Sequence, residues 1–271
     1  MERNKLSIII VNYNTSGLLY DCLESIADNL TVDYEVIVFD NASSDDSVSR
    51  CMKFRTDSRF IFICSDSNLG FAKANNAASN VATGDFFHFL NPDTRVSASI
   101  NDDYLEVFEN PDHVYVNPLR NRDGTLENRP MPIPLLKDLF YWYLCRRKSR
   151  IWYKGASVII PKTLFYQIGR WCEEYFMYSE DLELFYSVWK KGIQVVPLSS
   201  EIYHYGGASS SSRWSSLERE TAVQRSARLF YRRNFSILQY HLVKLYFVFH
   251  YLFKNPRRIP DDIRAWIRSK S

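Results

Sequence analysis

Four short, unbroken apolar runs constrain this chain more than anything else in it. LSIIIV (6–11), EVIVFD (35–40), FIFIC (60–64) and FFHFL (86–90) carry no alternating polar positions. Such β-branched and aromatic runs suit strands buried on both faces. Helical spacing follows the first run, with Leu18, Leu19, Cys22, Leu23 and Ile26 on one face after a Thr15 or Ser16 cap. Ser43 or Ser44 is expected to open a second helix, with Asp45 and Asp46 beside its positive end. Phe71, Ala74, Ala78 and Val81 mark a third. Strand and helix alternating in short units predict a mostly parallel, Rossmann-like α/β sheet with right-handed crossovers.

In sheets of that kind ligands sit beyond the carboxyl ends of the strands. Here those ends read Asn12-Tyr13-Asn14, Asp40-Asn41 and Asn91-Pro92-Asp93, a set of polar groups converging on one edge. Neither G-x-G-x-x-G nor G-x-x-x-x-G-K-[ST] follows the first strand, which argues against the common dinucleotide and P-loop solutions. Further on, Asp123-Gly124 signals a hairpin, and RPMPIP (129–134) reads as a mobile loop. ASVIIP (156–161) and IQVVP (193–197) return to strand, on either side of a helix through Trp189 with Gly192 as its C-cap. GGASSSSRWSS (206–216) reads as a short flexible stretch.

The five cysteines (Cys22, Cys51, Cys64, Cys145, Cys172) are odd in number and form no C-x-x-C pair, so core thiols in a reducing compartment are expected. No secretory leader is expected, since Met1-Glu2-Arg3-Asn4-Lys5 runs straight into the first strand-like run. From Arg225 onward, eleven Lys/Arg face Asp261 and Asp262, which leaves that segment at +9 and the remainder of a +3 chain at −6. The same segment holds a basic helix candidate (226–235) and an apolar, aromatic run, ILQYHLVKLYFVFHYLF (237–253). A run of that length, with an internal lysine and cationic flanks, fits a helix in a membrane interface. Packing on the body or weak spanning are the other placements. The apolar neighbours point the charge towards a membrane surface rather than nucleic acid.

VNYN (11–14), FDNASSDDSV (39–48), SNLGFAKANN (67–76), GDFFHFLNPDT (84–94), EYFMYSEDLEL (174–184) and HYGGASS (204–210) occur in this order. Together they resemble the inverting glycosyltransferases of family 2, which have the GT-A fold, and within it the rhamnosyltransferase-like branch with NPDT at the metal position. The likeness runs over roughly residues 6 to 210. It implies a GT-A catalytic domain over 1–212, with a donor half to about 96 and an acceptor half after it, followed by a helical extension over 213–271. It implies a nucleotide-sugar donor, best taken as dTDP-rhamnose with a UDP-sugar as competitor. It also implies a polyprenyl-diphosphate-linked acceptor in surface polysaccharide synthesis at the cytoplasmic face of the plasma membrane, with the protein peripheral or monotopic.

Residue by residue, the resemblance places the nucleotide base at Asp40, with Asn12, Tyr13, Asn14 and Asn41 lining its pocket. Asn68, Gly70, Asn75 and Asn91 complete the donor side. Many relatives have arginine at the position of Asn75, and its absence makes a metal on the diphosphate more necessary. Asp93 and His204 are the implied ligands of a Mg²⁺ or Mn²⁺ ion. Asp181, second in the acidic pair with Glu180, is the implied general base; capping of its helix by Ser179 or Asp181 is the alternative. Gly155, Ala156, Arg170, Trp171 and Glu180 fall on the acceptor side. Relatives read G-G-F-D-E where this chain has Gly169-Arg170-Trp171-Cys172-Glu173, so the acceptor is expected to differ. A non-catalytic nucleotide- or glycan-binding module recruited to the membrane is the competing class. A nucleotidyltransferase would want a basic phosphate-gripping loop, and VNYNTSG has no Lys or Arg.

Overall fold

A computed structural model describes residues 4–127, 129–143, 150–206, 215–254 and 266, with side chains of the last helix described to residue 249. The four apolar runs are strands β1 (Leu6–Asn12), β2 (Tyr34–Asp40), β3 (Phe60–Cys64) and β4 (Phe86–Leu90). They pair in parallel in the order β4-β1-β2-β3. On the other side of β4 lie β10 (Ser157–Pro161), β6 (His113–Val116) and β11 (Gln194–Pro197), giving seven strands in the order β11-β6-β10-β4-β1-β2-β3. Only β10 runs against its neighbours. The sheet is thus mostly parallel, as expected; which strand is reversed was not legible, because a five-residue apolar run carries no sign of its direction.

Helices cover both faces: α1 (Gly17–Asn29), α2 (Ser47–Arg50), α3 (Phe71–Ser79), α4 (Ile100–Glu109), α5 (Leu136–Tyr143), α6 (Lys162–Gln167) and α7 (Glu180–Lys190). Two buried clusters fill the faces of the sheet, one around Ile8, Leu23 and Tyr104, the other around Ile9, Phe87 and Trp171. The expected caps of α1 are not made: Ser16 has positive φ and no side-chain cap bond, and the Thr15 hydroxyl donates to Asn12 Oδ1 instead. Likewise α2 starts at Ser47, because Ser43, Ser44 and Asp45 are spent in the loop that holds Asn14.

Two smaller sheets extend the carboxyl edge. β5 (Thr94–Arg95), β12 (Ile202–His204) and β7 (Leu119–Arg120) form one, in the order β5-β12-β7. The other pairs β8 (Met131–Pro132) with β9 (Ile151–Trp152), so part of the segment expected to be a mobile loop is a short antiparallel ribbon. The Asp123-Gly124 turn closes an antiparallel bridge between Arg120 and Leu126, as a hairpin should.

The C-terminal segment is a helix pair, α8 (Ser216–Asn234) and α9 (Ile237–Lys254). α8 begins ten residues before the basic stretch that suggested it, on a capping box in which Ser215 accepts from the Glu218 N–H and Glu218 accepts from Ser215 N–H. A third cluster joins Leu139 of α5, Leu182 and Tyr186 of α7, Phe230 and Tyr231 of α8, and Tyr240 and Val243 of α9. Packing on the body, one of the three expected placements of the apolar run, is thus present on one side of α9. No helix among the described residues is long and apolar enough to cross a membrane. The domain boundary at 212, most of the flexible stretch and nearly all of the basic tail past 254 lie outside the described residues. Of the four described cysteines, Cys22 and Cys51 are core thiols, Cys64 is exposed and Cys172 lies between.

Candidate active site

The strand ends converge as their spacing requires. Asn12 and Asp40 are register partners at the ends of β1 and β2. Asn12 Nδ2 donates to Asp40 Oδ1 (2.7 Å) and to the hydroxyls of Ser43 and Ser47. Asp40 Oδ2 accepts from Ser43 N–H at 3.0 Å, so each carboxylate oxygen keeps one acceptor site free. Asn41 ties the next loop in: its Oδ1 accepts from Leu69 N–H, and its Nδ2 donates to Asn68 Oδ1 and Gly70 O. Asn14 Oδ1 takes the N–H groups of Ser44 and Asp45. Asn12 and Asn14 therefore tie the ends of β1 and β2 to the Ser43–Ser47 loop, and Asn41 and Asn68 bind each other across the next one, while Tyr13 sits half-buried beside them. Asn75 is a correction. Expected on the donor side, it is buried within α3, where its amide donates to Phe71 O, the carbonyl one turn back.

Gly70 locks this half of the site to the other. Its φ of +80° suits glycine, and a Cβ there would meet Phe176 O at 2.4 Å. The next residue, Phe71, donates its N–H to that same Phe176 oxygen.

At the end of β4 the chain turns through Asn91-Pro92. Asn91 N–H donates to Ala156 O, which joins this turn to the start of β10, and the buried Ala156 faces the core rather than an acceptor. Asp93 and Thr94 then enter β5, where His204 is the cross-strand partner of Thr94 and Tyr205 N–H donates to Asp93 O. The pairing of two residues far apart in the chain is thus made by a three-residue strand: His204 Nε2 stands 3.4 Å from Asp93 Oδ1, both side chains buried.

Glu127 was not foreseen. Its Oε2 lies 2.6 Å from His204 Nδ1, and its other oxygen pairs with Lys154. Burial alone pulls the His204 imidazole down, but Asp93 first and Glu127 second more than reverse it, so the net shift is upward. A carboxylate behind one ring nitrogen, with the other nitrogen facing a second carboxylate, is how metal-binding imidazoles are commonly held. Asp93 and His204 could give a hard divalent ion one oxygen and one nitrogen. Among the described residues there is no group of three His, Cys, Asp or Glu side chains to hold it alone.

The second corner is the start of α7. Tyr178 and Ser179 are both left-handed, at φ +69° and +64°, a costly backbone that clusters at functional sites. Ser179 makes no side-chain cap. Asp181 Oδ1 accepts from Leu182 N–H at 2.8 Å, and Oδ2 accepts from Gly155 N–H at 3.3 Å. Gly155 allows this approach, since a Cβ there would sit 3.2 Å from Asp181 Cβ, a tight contact. Burial pushes both acids of the pair up: Glu180, further raised by the Asp181 charge and left with Oε2 unpartnered, goes higher than Asp181, whose two backbone donors hold it back. The pair is thereby split into one group ionised near neutrality and one that keeps its proton.

Trp171 and Arg170 depart from their expected roles. Trp171 is fully buried, edge-on to Phe71 and Phe89, and forms the floor beneath Gly155. Arg170 donates to Asn76 O and Asn80 Oδ1, closing the C-terminal end of α3, where its cation also complements the helix dipole. Neither faces an acceptor.

A mostly parallel sheet with one reversed strand, and a polar edge whose two corners carry a carboxylate–imidazole pair and an acidic pair, define the GT-A class of fold. The chain belongs to glycosyl transferase family 2, whose profile matches residues 7–181. Among curated proteins, it is 35% identical over 112 residues to the teichoic acid poly(glycerol phosphate) polymerase of Staphylococcus epidermidis, covering 40% of this chain and 15% of that one. It is 34% identical over 101 residues to the UDP-Glc:alpha-D-GlcNAc-diphosphoundecaprenol beta-1,3-glucosyltransferase WfaP of Escherichia coli, covering 35% and 40%. The chain thus spans less than half the length of either relative. Among solved structures, S. aureus TarS 1–349 in complex with UDP-GlcNAc superposes with a TM-score of 0.61 at 17% identity, over 98% of this chain and 81% of that one. That likeness is one of fold.

Proposed function

We propose that the chain is an inverting glycosyltransferase that moves a sugar from a nucleoside diphosphate onto a lipid-linked glycan, at the cytoplasmic face of the plasma membrane. The observation that carries this reading is Asp181: a carboxylate raised by burial, aimed by two backbone N–H groups and set beside Glu180 at the start of α7. In an inverting transfer the acceptor oxygen attacks the anomeric carbon as its proton passes to a carboxylate. The bond from that carbon to the donor's diphosphate breaks on the opposite face, and the nucleoside diphosphate departs. Asp181 is the proton acceptor in this scheme. Glu180, kept neutral, is placed to donate a hydrogen bond to the acceptor.

Asp93 and His204 would hold a Mg²⁺ or Mn²⁺ ion, with diphosphate oxygens and waters completing its shell. When bound, such an ion offsets the negative charge that grows on the leaving diphosphate. The buried donor pair and its Glu127 support suit that ion, and Asp40 retains acceptor capacity for a nucleobase N–H.

The resemblance of the NPDT segment to rhamnosyltransferase-like enzymes favours dTDP-rhamnose as donor and O-antigen or capsule synthesis as the setting. A UDP-sugar is the second reading, favoured by the donor in the name of WfaP and the UDP-GlcNAc bound by TarS. Thermal shift across dTDP-, UDP- and GDP-sugars, with and without Mn²⁺, separates them, because a ligand that binds only the folded state raises its stability. The preferred donor is expected to raise Tm with Mn²⁺ and to be hydrolysed or transferred. Stabilisation by a donor that is never turned over, with any acceptor or water, would favour the non-catalytic binding module.

A further inference from the structure

Helix α9 has two apolar sides. Tyr240 and Val243 enter the third cluster. Opposite them, Leu238, Leu242, Leu245 and Phe249 recur at i, i+4, i+7 and i+11, which aligns them along one stripe. All four are exposed, Leu238 by 64% and Phe249 by 62%. Helix α5 packs against α9 and repeats the pattern. Leu136, Phe140 and Tyr143 sit at i, i+4 and i+7 and are 40%, 50% and 45% exposed, while Asp138 and Leu139 turn inward. Seven large apolar side chains on two touching helices exceed the single exposed residues that any surface carries.

Charge selects what covers them. The sequence of α9 contains no acid, and the only acid of α5, Asp138, is buried on the guanidinium of Arg150. Lys137 is exposed on α5, and Arg225 and Arg232 are exposed one heptad apart on α8. Apolar stripes on two helices that expose no carboxylate, with an exposed lysine on α5 and exposed arginines beside the exposed Glu218 on the adjoining α8, match the boundary between anionic headgroups and acyl chains. We propose that α5 and α9 together form a docking face that lies in the surface of an anionic bilayer. The face deepens the proposed reaction and rests on it only for its purpose: the third cluster also contains Leu182, the residue after Asp181, and Ser226 of α8 donates to Met177 O just before the left-handed pair. Docking would thus hold the start of α7 at a set height above the membrane that carries the acceptor's lipid.

The test is sedimentation of the full chain with vesicles of phosphatidylcholine alone or mixed with phosphatidylglycerol. Binding is expected only to the mixed vesicles and should weaken with salt. Phe140→Glu and Phe249→Glu should each lower partitioning about tenfold or more. Met52→Glu, at an exposed apolar residue outside the face, should not. Thermal melts confirm that each variant is folded. Undiminished vesicle binding by both variants overturns the proposal, as does a wild-type dimer that these substitutions dissociate and that binds no vesicles. Vesicle binding without any sugar transfer supports the face and sinks the proposed reaction. Transfer to a lipid-linked acceptor that Phe249→Glu leaves unchanged does the reverse.

Discussion

Replacing Asp181 by Asn separates a catalytic carboxylate from a capping one by the sign of a stability change. In the folded protein the carboxyl is raised from 3.8 to about 6, chiefly by burial. Above that range the ionised side chain costs the fold up to about 3 kcal/mol, at about 1.4 kcal/mol per unit. The amide carries no charge and removes this cost. It keeps one acceptor oxygen for Leu182 N–H, but its NH₂ then faces Gly155 N–H, which takes back about 1 kcal/mol. The net gain is about 1–2 kcal/mol, or roughly 3–6 °C in Tm for a chain of this size. The gain has a pH signature. A carboxyl raised in the folded state binds its proton more tightly there, so wild-type stability is fullest below pH 3.8 and falls as pH rises towards about 6. The Asn variant lacks that fall, so its advantage opens across this window, and it widens further as Glu180 ionises, because that carboxyl no longer has the Asp181 charge beside it. Turnover should drop by about 10²–10⁴ with donor affinity unchanged. Differential scanning calorimetry between pH 4 and 8 and a coupled nucleotide-release assay measure both. A capping residue predicts the opposite pair, a lower Tm with near-normal turnover, and that result would refute the assignment.

Three other variants test separate parts of the structure. Glu127→Gln should weaken Mn²⁺ binding, read by titration calorimetry in the presence of nucleoside diphosphate, by about 10–100-fold while the fold survives; unchanged affinity would make Glu127 a merely structural partner of His204. Gly70→Ala should cost about 3 kcal/mol or more in urea unfolding, since the backbone lies in a region almost reserved for glycine and the new methyl meets a carbonyl; a loss under 1 kcal/mol would contradict the close approach to Phe176. Burial holds His88 neutral, with its pKa lowered to about 3, between Tyr104 and Ser157. Its protonation is resisted only in the folded state, so stability falls as pH drops below 6.5. His88→Asn should flatten that fall by about 1.4 kcal/mol per pH unit between pH 6 and 4, and an unaltered slope in the pH-dependent melts would rule it out.

Much of this was legible in the residues. Continuous apolar runs ending in Asn12, Asp40 and Asn91 foretold both the sheet and the edge where the polar groups gather, because burial on both faces leaves no room for polar alternation. The meeting of Asp93 with His204 was read from a motif likeness, and the strand that effects it, Ile202–His204, is too short to show a period. Glu127 belongs to no motif and reaches His204 across 77 residues of chain through a hairpin, a contact no local pattern encodes. Arg170 and Asn75 misled for a common reason. Side chains placed near a site in sequence were claimed first by carbonyls of helix α3, Arg170 by Asn76 O near its C-terminal end and Asn75 by Phe71 O one turn back.

Helix α7 is a wall shared by two rooms. Phe185 and Val188 face the main core, while Leu182 and Tyr186 face the aromatic cluster built by α5, α8 and α9. Glu183, between them, is buried and accepts from both Tyr175 OH and the amide of Asn234 on α8. A graft that replaced the C-terminal helices with those of a relative would therefore leave the far side of the Asp181-bearing helix lined for the wrong tenant. Working chimeras will have to carry Leu182, Glu183 and Tyr186 along with the new helices, so exchanges of the terminal pair and changes in α7 should be found to travel together.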